Sequence, residues 1–398
     1  MKLRDFGEPT FDFHSQKNHL LLNPRLRPEA FSFFSDAWAS VSPKINSHFG
    51  LATSGTASKD AFGKLVLLSK AAILASAKSV NLHLSSDEKD IWLKALPDFH
   101  VGGLGILARA HLSGAQVIEV AEEKWSVLKF YHTLENSKAT LISLVPTQVF
   151  DLVRENLMAP NHVRAVLVGG AALSESLFTE AKRLGWNILT CYGMTETSSM
   201  VACSELSSVE QQLPRLLSHA NIKLDPAGRI EISSEGLFSG YVVKNPETFE
   251  IEDPKHYDKN FRPWFLTEDI GVLSSLGLQI FGRGSDFFKV GGEGVSLLKL
   301  ENILSQISLD LKVVKFDFSL LVVQDSRLGS RIDFICSARS LSEAEEIVNL
   351  FNLKVMGFEK IREIHIVNEL PRTELGKLRR EEALSLIDQA GAVSSILT

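Results

Sequence analysis

Cysteine is scarce in this chain, whose 398 residues contain only Cys191, Cys203 and Cys336. The three residues have no metal-type spacing, which excludes a Cys-based zinc site, and they are too few for a disulfide framework. So low a content fits a reducing cytosol, which is the expected location of the protein. The first residues lead into polar and aromatic positions instead of an apolar run, so no signal peptide is expected.

Long apolar runs and an excess of one charge are also missing. The most apolar stretch, residues 65–80, is interrupted by Lys70 and Lys78 and falls short of the roughly 18 residues that a transmembrane helix needs. The net charge of -6 gives no reason to expect nucleic acid or an anionic membrane as a partner. These absences favour a small-molecule ligand and exclude stable insertion into a membrane, and they leave the oligomeric state open.

What is present is an ordinary globular composition, with 44% hydrophobic and 23% charged residues. A chain of this length exceeds what one hydrophobic core usually organises, so two domains are expected. Between residues 116 and 193 apolar strands alternate with helices, which predicts an α/β fold with parallel-rich sheets. The predicted strands are 116–120, 140–145, 165–168 and 187–193, and the predicted helices are 124–136, 147–155 and 174–184.

The remainder of the chain changes character twice. Residues 220–285 are rich in strands and turns and are interpreted as a β-rich part of the same large domain. A glycine run at 289–295 then precedes a predicted helix at 298–307 and a smaller α+β region. We therefore predict an N-terminal domain at 1–284 and a C-terminal domain at 285–398.

Several short motifs carry side chains suited to nucleotide chemistry, and each also has a plainer interpretation. The hydroxyl-rich segment 53–59 could gather N–H and hydroxyl groups around an anion, or be a Ser/Gly linker. The turn 192–197 could supply an aromatic face, a hydroxyl and a metal-binding carboxylate, or could cap a helix. His100 could line a pocket or be structural, and Asp269 and Arg283 could pair on the surface.

A basic loop near the far end, residues 371–380, could carry the ammonium group of Lys377 to a target elsewhere. Pro371 fixes its entry and Gly376 opens the backbone just before the lysine. Taken alone, such a loop is most often a solvated basic turn.

The order of these motifs resembles that of the adenylate-forming acyl-CoA synthetases, the superfamily that includes firefly luciferase and peptide-synthetase adenylation domains. The resemblance runs from about residue 51 to the end of the chain. The motifs that carry it are Thr53-Ser54-Gly55-Thr56, Gly169-Gly170-Ala171, Tyr192-Gly193-Met194-Thr195-Glu196, Asp269 with Gly282-Arg283, and Pro371-Arg372-Thr373-Glu374-Leu375-Gly376-Lys377. The third and the last of these are the most specific.

The resemblance implies a role for each motif. It implies that ATP, Mg²⁺ and coenzyme A are bound and that the small C-terminal domain is mobile. The implied residues are Thr53, Ser54, Gly55 and Thr56 for the β- and γ-phosphates, Gly170, Ala171 and Tyr192 for adenine, Thr195 for the α-phosphate, Glu196 for Mg²⁺, Asp269 and Arg283 for ribose, and Lys377 for the substrate carboxylate and the α-phosphate. His100, Gly169 and Gly193 are the candidates for the acyl substrate.

The chain departs from the family pattern at two places. The phosphate loop lacks the usual Thr-Gly-x-Pro-Lys continuation, which leaves Lys59 and Lys64 as alternatives for the phosphate-binding lysine. The hinge position is Ser285, followed by Asp286, where the family has Asp or Lys.

Segments 99–104, 144–148 and 169–173 look most like the o-succinylbenzoate-CoA ligases of bacterial menaquinone synthesis. The expected function is therefore ATP-dependent activation of o-succinylbenzoate and its transfer to coenzyme A. The alternatives are another aryl or short-chain acyl-CoA ligase and a nucleotide-binding homologue that has lost catalysis.

Overall fold

The computed structural model describes residues 11–53, 63–120, 125–206, 212–245, 248–311, 316–338, 340–373, 376–389 and 394–396. Of the predicted site residues, Ser54, Gly55 and Thr56 lie outside these ranges, as does Lys59.

In chain order the α-helices of the described residues are α1 (Pro28–Val41), α2 (Lys70–Leu84), α3 (Val101–Ser113), α4 (Val127–Ser137), α5 (Pro146–Arg154), α6 (Glu175–Arg183), α7 (Leu297–Leu311), α8 (Leu341–Lys354) and α9 (Arg380–Gln389). The four helices predicted from the sequence correspond to α4, α5, α6 and α7 of the structure to within a few residues at each end.

The strands are more numerous than the sequence pattern predicts. In chain order they are β1 (His19–Leu21), β2 (His48–Thr53), β3 (Lys64–Ser69), β4 (Ile91–Lys94), β5 (Gln116–Glu119), β6 (Leu141–Leu144), β7 (Ala165–Val168), β8 (Ile188–Met194), β9 (Ser199–Cys203), β10 (Arg215–Leu216), β11 (Ala220–Leu224), β12 (Arg229–Ser234), β13 (Gly240–Lys244), β14 (Phe249–Glu252), β15 (His256–Tyr257), β16 (Pro263–Ser274), β17 (Gly277–Arg283), β18 (Phe287–Val290), β19 (Glu293–Ser296), β20 (Phe318–Asp325), β21 (Gly329–Cys336), β22 (Ile361–Ile366) and β23 (Ser394–Ile396).

A seven-stranded sheet with the order β10-β9-β8-β7-β6-β4-β5 forms the centre of the large domain. Its strands β8, β7, β6, β4 and β5 run parallel to one another. Strand β9 runs antiparallel to both of its neighbours, β8 and β10. Apolar side chains of α4, α5 and α6 pack on one face of the sheet and those of α2 and α3 pack on the other. The strands are covered on both faces, which explains why they are continuous apolar runs. The predicted α/β fold is confirmed.

Two further sheets complete the large domain. One has the order β1-β2-β3-β13-β14 and is antiparallel except for the pair β1 and β2. The other contains β11, β12, β15, β16 and β17, all antiparallel, and corresponds to the predicted β-rich part. The first was not predicted, because its strands are far apart in sequence and β3 looked like part of an apolar helix.

A separate sheet begins at β18 and contains every described strand that follows. Its strands β21 and β22 run parallel, and α7 and α8 share a core with it. A short 3-10 turn, Gly284–Asp286, connects it to β17. The predicted domain boundary falls within this turn, and the division of the chain there stays a prediction.

The glycine run expected to be a flexible link is instead the turn of a hairpin. Phe287 pairs with Ser296 and Val290 with Glu293, so only Gly291 and Gly292 connect β18 and β19. Both have positive φ values, 60° and 93°, the combination that a two-residue turn needs to match the twist of its strands. Among the described residues, no helix is both long and apolar enough to cross a membrane.

Candidate functional site

Most of the predicted site residues come together around one cavity of about 510 Å³. It lies beyond the carboxyl ends of β6, β7 and β8, the place where ligands bind in parallel sheets. The predicted residues that line it are Thr53, His100, Gly169, Gly170, Gly193, Thr195, Glu196, Asp269, Arg283 and Lys377. Ala171 lines an adjoining cavity of about 1020 Å³, which also reaches Thr53, His100, Gly170 and Lys377.

Asp269 is held between two side chains of the large domain. The Tyr192 hydroxyl donates a hydrogen bond of 2.8 Å to Oδ2 of Asp269, and Nε of Arg283 lies 3.5 Å from Oδ1. Asp269 and Arg283 are also direct partners across β16 and β17. Burial, and next the charge of Asp269, hold the pKa of Tyr192 well above its usual range, so its hydroxyl stays a donor.

Tyr192 lies mostly in the core beside the cavity. It is only 8% exposed and packs in the core formed by β9, β11 and β12. Its clearest contact with the site is the bond to Asp269, which orients that carboxylate. Its assignment to adenine stays a prediction.

Glu196 lies in a short 3-10 turn, Thr195–Thr197, that directly follows β8. Its Oε1 accepts a hydrogen bond of 2.8 Å from the hydroxyl of Tyr241 on β13, and its backbone oxygen accepts one from Phe238. Nζ of Lys64 lies 4.3 Å from the centroid of the Tyr241 ring. Tyr241 thus connects the candidate metal ligand with one of the two candidate phosphate lysines.

The turn itself is fixed by close packing against β9. A Cβ atom at Gly193 would collide with the backbone carbonyl oxygen of Ser199, so only glycine fits there. Thr197 is fully buried, and its hydroxyl lies within hydrogen-bond distance of the carbonyl oxygens of Met194 and Ser199. Gly193 lines the cavity, but the packing alone requires it to be glycine, and its contact with substrate stays a prediction.

The remaining predicted residues lie where strands and helices end. Gly169 and Gly170 follow β7, and Gly170 has a φ of 84°, which favours glycine. Thr53 ends β2, and its hydroxyl lies 3.4 Å from the carbonyl oxygen of Lys64 at the start of β3. His100 precedes the first residue of α3 and faces both cavities.

The loop that carries Lys377 is anchored to the small-domain sheet by Arg372. The guanidinium of Arg372 binds both carboxylate oxygens of Asp317, at 2.6 and 2.7 Å, and also the carbonyl oxygens of Phe318 and Gly376. Such two-pronged binding fixes the direction of a loop more firmly than one bond can. The backbone N–H of Lys377 additionally donates to the Thr373 hydroxyl at 3.1 Å.

The tip of this loop contacts the large domain at Thr147, the second residue of α5. Gly376 has a φ of 75°, and a Cβ atom there would lie 2.6 Å from Oγ1 of Thr147. The small domain is thereby in a position that presents Lys377 to the cavity. Burial, and next the charges of Arg283 and Arg380, lower the pKa of Lys377, while Asp286 and Asp269 oppose that shift.

Arg109 is a site residue that the sequence analysis missed. It lies on α3, is 1% exposed and lines the cavity. Its Nη2 donates to Oγ of Ser199 at 2.8 Å, while Nε and Nη1 have no hydrogen-bond partner among the described residues. A buried guanidinium with unused donors is costly unless an anion meets it.

Arg109 could have been found from its position. It lies nine residues after His100, on the helix that begins at the edge of the cavity, and a charge within the otherwise apolar segment 104–110 is a signal. Burial even lowers the pKa of Arg109 to about 10, which still leaves it charged at neutral pH.

Two sets of charged groups therefore line one cavity. Lys377 and Arg283 accompany the carboxylates of Asp269 and Glu196, a set suited to a nucleotide and a hard metal ion. Arg109 on α3 is a further cation in the cavity wall. A cavity lined in this way can hold an anion that carries negative charge at more than one place.

The fold is similar to that of AMP-binding, adenylate-forming enzymes. Residues 51–242 match the family of AMP-binding enzymes. The predicted resemblance to the adenylate-forming acyl-CoA synthetases is thereby confirmed.

The likeness extends to one group within that class. The chain is 31% identical to the 2-succinylbenzoate-CoA ligase of Oceanobacillus iheyensis over 320 residues, which is 77% of this chain and 63% of that protein. It is 27% identical to the 2-succinylbenzoate-CoA ligase of Bacillus cytotoxicus over 396 residues, covering 93% of this chain and 79% of that protein. The predicted likeness to the o-succinylbenzoate-CoA ligases is confirmed.

Among solved structures, the fold matches that of the o-succinylbenzoate-CoA synthetase of Bacillus subtilis in complex with the acyl-adenylate intermediate OSB-AMP. The TM-score is 0.68 at 25% identity, and the match covers 84% of this chain and 68% of that chain. The chain thus spans about two thirds of the length of several proteins that it matches.

Proposed function

We propose that the chain is a ligase that activates o-succinylbenzoate with ATP and transfers the acyl group to coenzyme A, as in menaquinone synthesis. The observation that carries the proposal is the single cavity that joins Lys377 and the nucleotide residues to the buried guanidinium of Arg109. The names of the similar ligases and the acyl-adenylate bound in the Bacillus subtilis structure support the same reaction.

The positively charged side chains that line the cavity suit an aromatic dicarboxylate. o-Succinylbenzoate has two carboxylates joined through a keto group and a benzene ring, so one can react while the other is held. Arg109, whose guanidinium is buried at the cavity wall, would bind the carboxylate that does not react. The cavity walls include Val101, Leu144 and Met200, which suit the ring.

The nucleotide would lie against the other set of charged groups. Asp269, oriented by Tyr192 and Arg283, would accept hydrogen bonds from the ribose hydroxyls. Gly170 and Ala171 would border the base, and Thr195 would contact the α-phosphate. Thr53, with Ser54, Gly55 and Thr56 beyond the described residues, would hold the outer phosphates together with Lys64, which lines the cavity.

Glu196 fits a magnesium ion by its chemistry. Magnesium prefers carboxylate oxygens and substrate phosphates, and Oε2 of Glu196 has no hydrogen-bond partner within the described part of the chain. Tyr241 would keep the carboxylate turned toward the ion. When bound, Mg²⁺ neutralises phosphate charge and screens the incoming carboxylate from repulsion.

Lys377 would act in the first half-reaction, the attack of the substrate carboxylate on the α-phosphate of ATP. A carboxylate is a poor nucleophile toward a polyanionic phosphate, so positioning and charge neutralisation dominate the barrier. Its ammonium group would bind the substrate carboxylate and an α-phosphate oxygen, and would stabilise the charge that builds there as pyrophosphate leaves. A preorganised donor of this kind contributes roughly 3 to 4 kcal/mol.

Transfer to coenzyme A needs a second arrangement of the small domain. The thiol would approach the acyl carbon from the side on which the Lys377 loop lies, so the loop would have to withdraw. The turn at Ser285 and Asp286 is the proposed hinge, and the hairpin of Gly291, Gly292 and Glu293 would approach the thiol. One loop cannot serve both half-reactions in one position.

A carboxylate panel tests the proposal directly. Pyrophosphate release should require both ATP and o-succinylbenzoate, and benzoate derivatives that lack the second carboxylate should react about 10- to 100-fold less efficiently. Arg109→Leu should remove most of that preference and Arg109→Lys should keep part of it. No release with any aryl or fatty carboxylate, although ATP still binds, would instead support a homologue without catalysis.

A further inference from the structure

Two thiol groups lie side by side in the wall of the cavity, close to Arg109. Cys191 of β8 and Cys203 of β9 are direct partners across the antiparallel pair. Their Sγ atoms are 3.4 Å apart, and both cysteines are free. They are 12 residues apart in sequence, and only the return of β9 along β8 brings them together.

The two cysteines differ in their access to solvent. Cys191 is partly exposed and lines the cavity, whereas Cys203 is fully buried behind it. The hydrogen bond with Cys191, and next burial, hold the pKa of Cys203 well above its ordinary value. Cys203 therefore stays a thiol at neutral pH, and Cys191 is the sulfur that a small reagent in the cavity can reach.

A positive charge stands beside the pair. The buried guanidinium of Arg109 interacts electrostatically with both sulfurs. Reactive cysteines lie in electropositive, partly exposed surroundings of this kind. Access, a neighbouring second thiol and a cation are the features that mark a redox-sensitive cysteine.

We propose that Cys191 and Cys203 form an oxidation site at which hydrogen peroxide converts the two thiols into a disulfide. The Cys191 sulfur attacks the peroxide, the O–O bond breaks, and a sulfenic acid and one water are formed. The sulfur of the Cys203 thiol then attacks the Cys191 sulfur, and the Cys203 proton passes to the displaced hydroxyl, which leaves as a second water. Two thiols lose two electrons and two protons in all, and one peroxide is reduced to two waters.

The backbone permits this bond with little movement. Opposite residues of an antiparallel pair have Cα atoms about 4.5 to 5.5 Å apart, within the range of about 4.4 to 6.8 Å that disulfides span. The sulfurs need only approach from 3.4 Å to about 2.05 Å. Rotation of the Cys191 side chain toward Cys203 would draw its sulfur away from the cavity.

Oxidation should alter the acyl end of the cavity more than the nucleotide end. Cys191 lines the cavity near Arg109, whereas the side chain of the next residue, Tyr192, packs in the core of β9, β11 and β12 and binds Asp269 from there. We expect the KM for the carboxylate to rise several-fold and the KM for ATP to change less. This consequence rests on the proposed function, but the formation of the disulfide does not.

Peptide mass spectrometry of the full chain tests the site without any activity measurement. The protein is treated with hydrogen peroxide, unreacted thiols are alkylated in denaturant, and the peptides are compared with and without dithiothreitol. We expect a linked peptide that contains Cys191 and Cys203, two hydrogen atoms lighter than the sum of its parts, and its loss on reduction.

Two variants sharpen the result. Cys336 is fully buried in the small-domain sheet, so Cys336→Ala is the matched control and should form the same linked peptide. In Cys203→Ser, Cys191 has no second thiol, and its sulfenic acid should be trapped by dimedone. A wild-type protein whose Cys191 and Cys203 both remain alkylatable after peroxide treatment would overturn the proposal.

Discussion

The hydroxyl group of Tyr241 lies 2.8 Å from Oε1 of Glu196 and donates a hydrogen bond to it. Burial, and next the charge of Glu196, keep the pKa of Tyr241 far above its usual range, so this donor is always protonated. Residues behind a metal ligand orient it, and their loss typically costs about 10- to 100-fold in metal affinity. Tyr241 is therefore a positioning residue for the proposed magnesium site.

Tyr241→Phe should raise the magnesium concentration needed for half-maximal activity by about tenfold. Calorimetry of ATP binding, with and without Mg²⁺, gives a second readout: the gain in affinity that Mg²⁺ provides should shrink. Tyr131→Phe is the matched control. The Tyr131 hydroxyl donates a hydrogen bond to the backbone carbonyl of Met158 and not to Glu196, so its loss should not affect the proposed magnesium site. Equal magnesium dependence in the wild-type protein and Tyr241→Phe would contradict the role.

Gly376 should be replaceable only with a large loss of the first half-reaction. A side chain at its φ of 75° is strained by about 1 to 2 kcal/mol, and its Cβ would also press against Oγ1 of Thr147. Gly376→Ala should slow acyl-adenylate formation by about tenfold or more, measured as pyrophosphate release in a single turnover. Adding Thr147→Ala should recover part of the loss, since it removes the two nearest atoms.

The matched control for that experiment is Gly357→Ala. Gly357 belongs to the same domain, its φ is ordinary, and a Cβ there would meet nothing within 4 Å. It should leave pyrophosphate release unchanged. If Gly376→Ala were as active as Gly357→Ala, the closed position of the loop would not be the one used for adenylation.

Alkaline pH should inactivate the free enzyme earlier than an ordinary lysine would allow. Burial lowers the pKa of Lys377 below its usual 10.5, so the ammonium loses its proton as pH rises through that lower value. The quantity kcat/KM for ATP reports the free enzyme and should fall on that alkaline limb. In Lys377→Arg this alkaline fall in kcat/KM should move to higher pH, because a guanidinium keeps its proton. If the fall occurs at the same pH in this variant, another group is responsible for it.

Mild acid should destabilise the fold through His219. This residue is 8% exposed, its two ring nitrogens have no hydrogen-bond partner in the described ranges, and burial lowers its pKa to about 4. The unfolded chain, with a pKa near 6.5, binds the proton more readily, so the free energy of unfolding falls as pH drops from 6.5 to 4. The full effect is about 3 kcal/mol.

Denaturant unfolding between pH 7 and 4 measures that slope. His219→Phe should flatten it, whereas the exposed histidine variant His132→Gln should not. The same slope in both variants would show that other groups control the acid response.

The sequence could predict the parallel sheet because each of its strands carries its own signal. Strand β7, at residues 165–168, is a short apolar run bounded by polar and glycine positions, and its observed ends are the predicted ones. The sheet of β1, β2, β3, β13 and β14 could not be predicted in the same way. Its pairing of β3 with β13 joins residues about 175 positions apart, such as Val66 and Tyr241, and no local sequence pattern predicts such a contact.

The candidate site likewise contains residues that the sequence could predict and residues that it could not. Lys377, Glu196 and Asp269 were identified because they stand in short motifs whose order resembles that of a family. Arg109 and Tyr241 stand outside those motifs. The charge of Arg109 within an apolar segment is a sequence signal, but its burial and the 2.8 Å contact of Tyr241 are seen only in the structure. The proximity of Cys191 and Cys203 could not be predicted from the sequence either. Their separation of 12 residues is not a known motif, and only the pairing of β8 with β9 brings them together.

The central claim is that Lys377 serves the first half-reaction and must leave for the second, and Lys377→Ala tests it most directly. Single-turnover pyrophosphate release from ATP and o-succinylbenzoate should fall at least about 100-fold, in line with the loss of one preorganised donor. Thioester formation from supplied acyl-adenylate and coenzyme A should fall less than about threefold in the same variant. Equal losses in the two half-reactions would contradict the account.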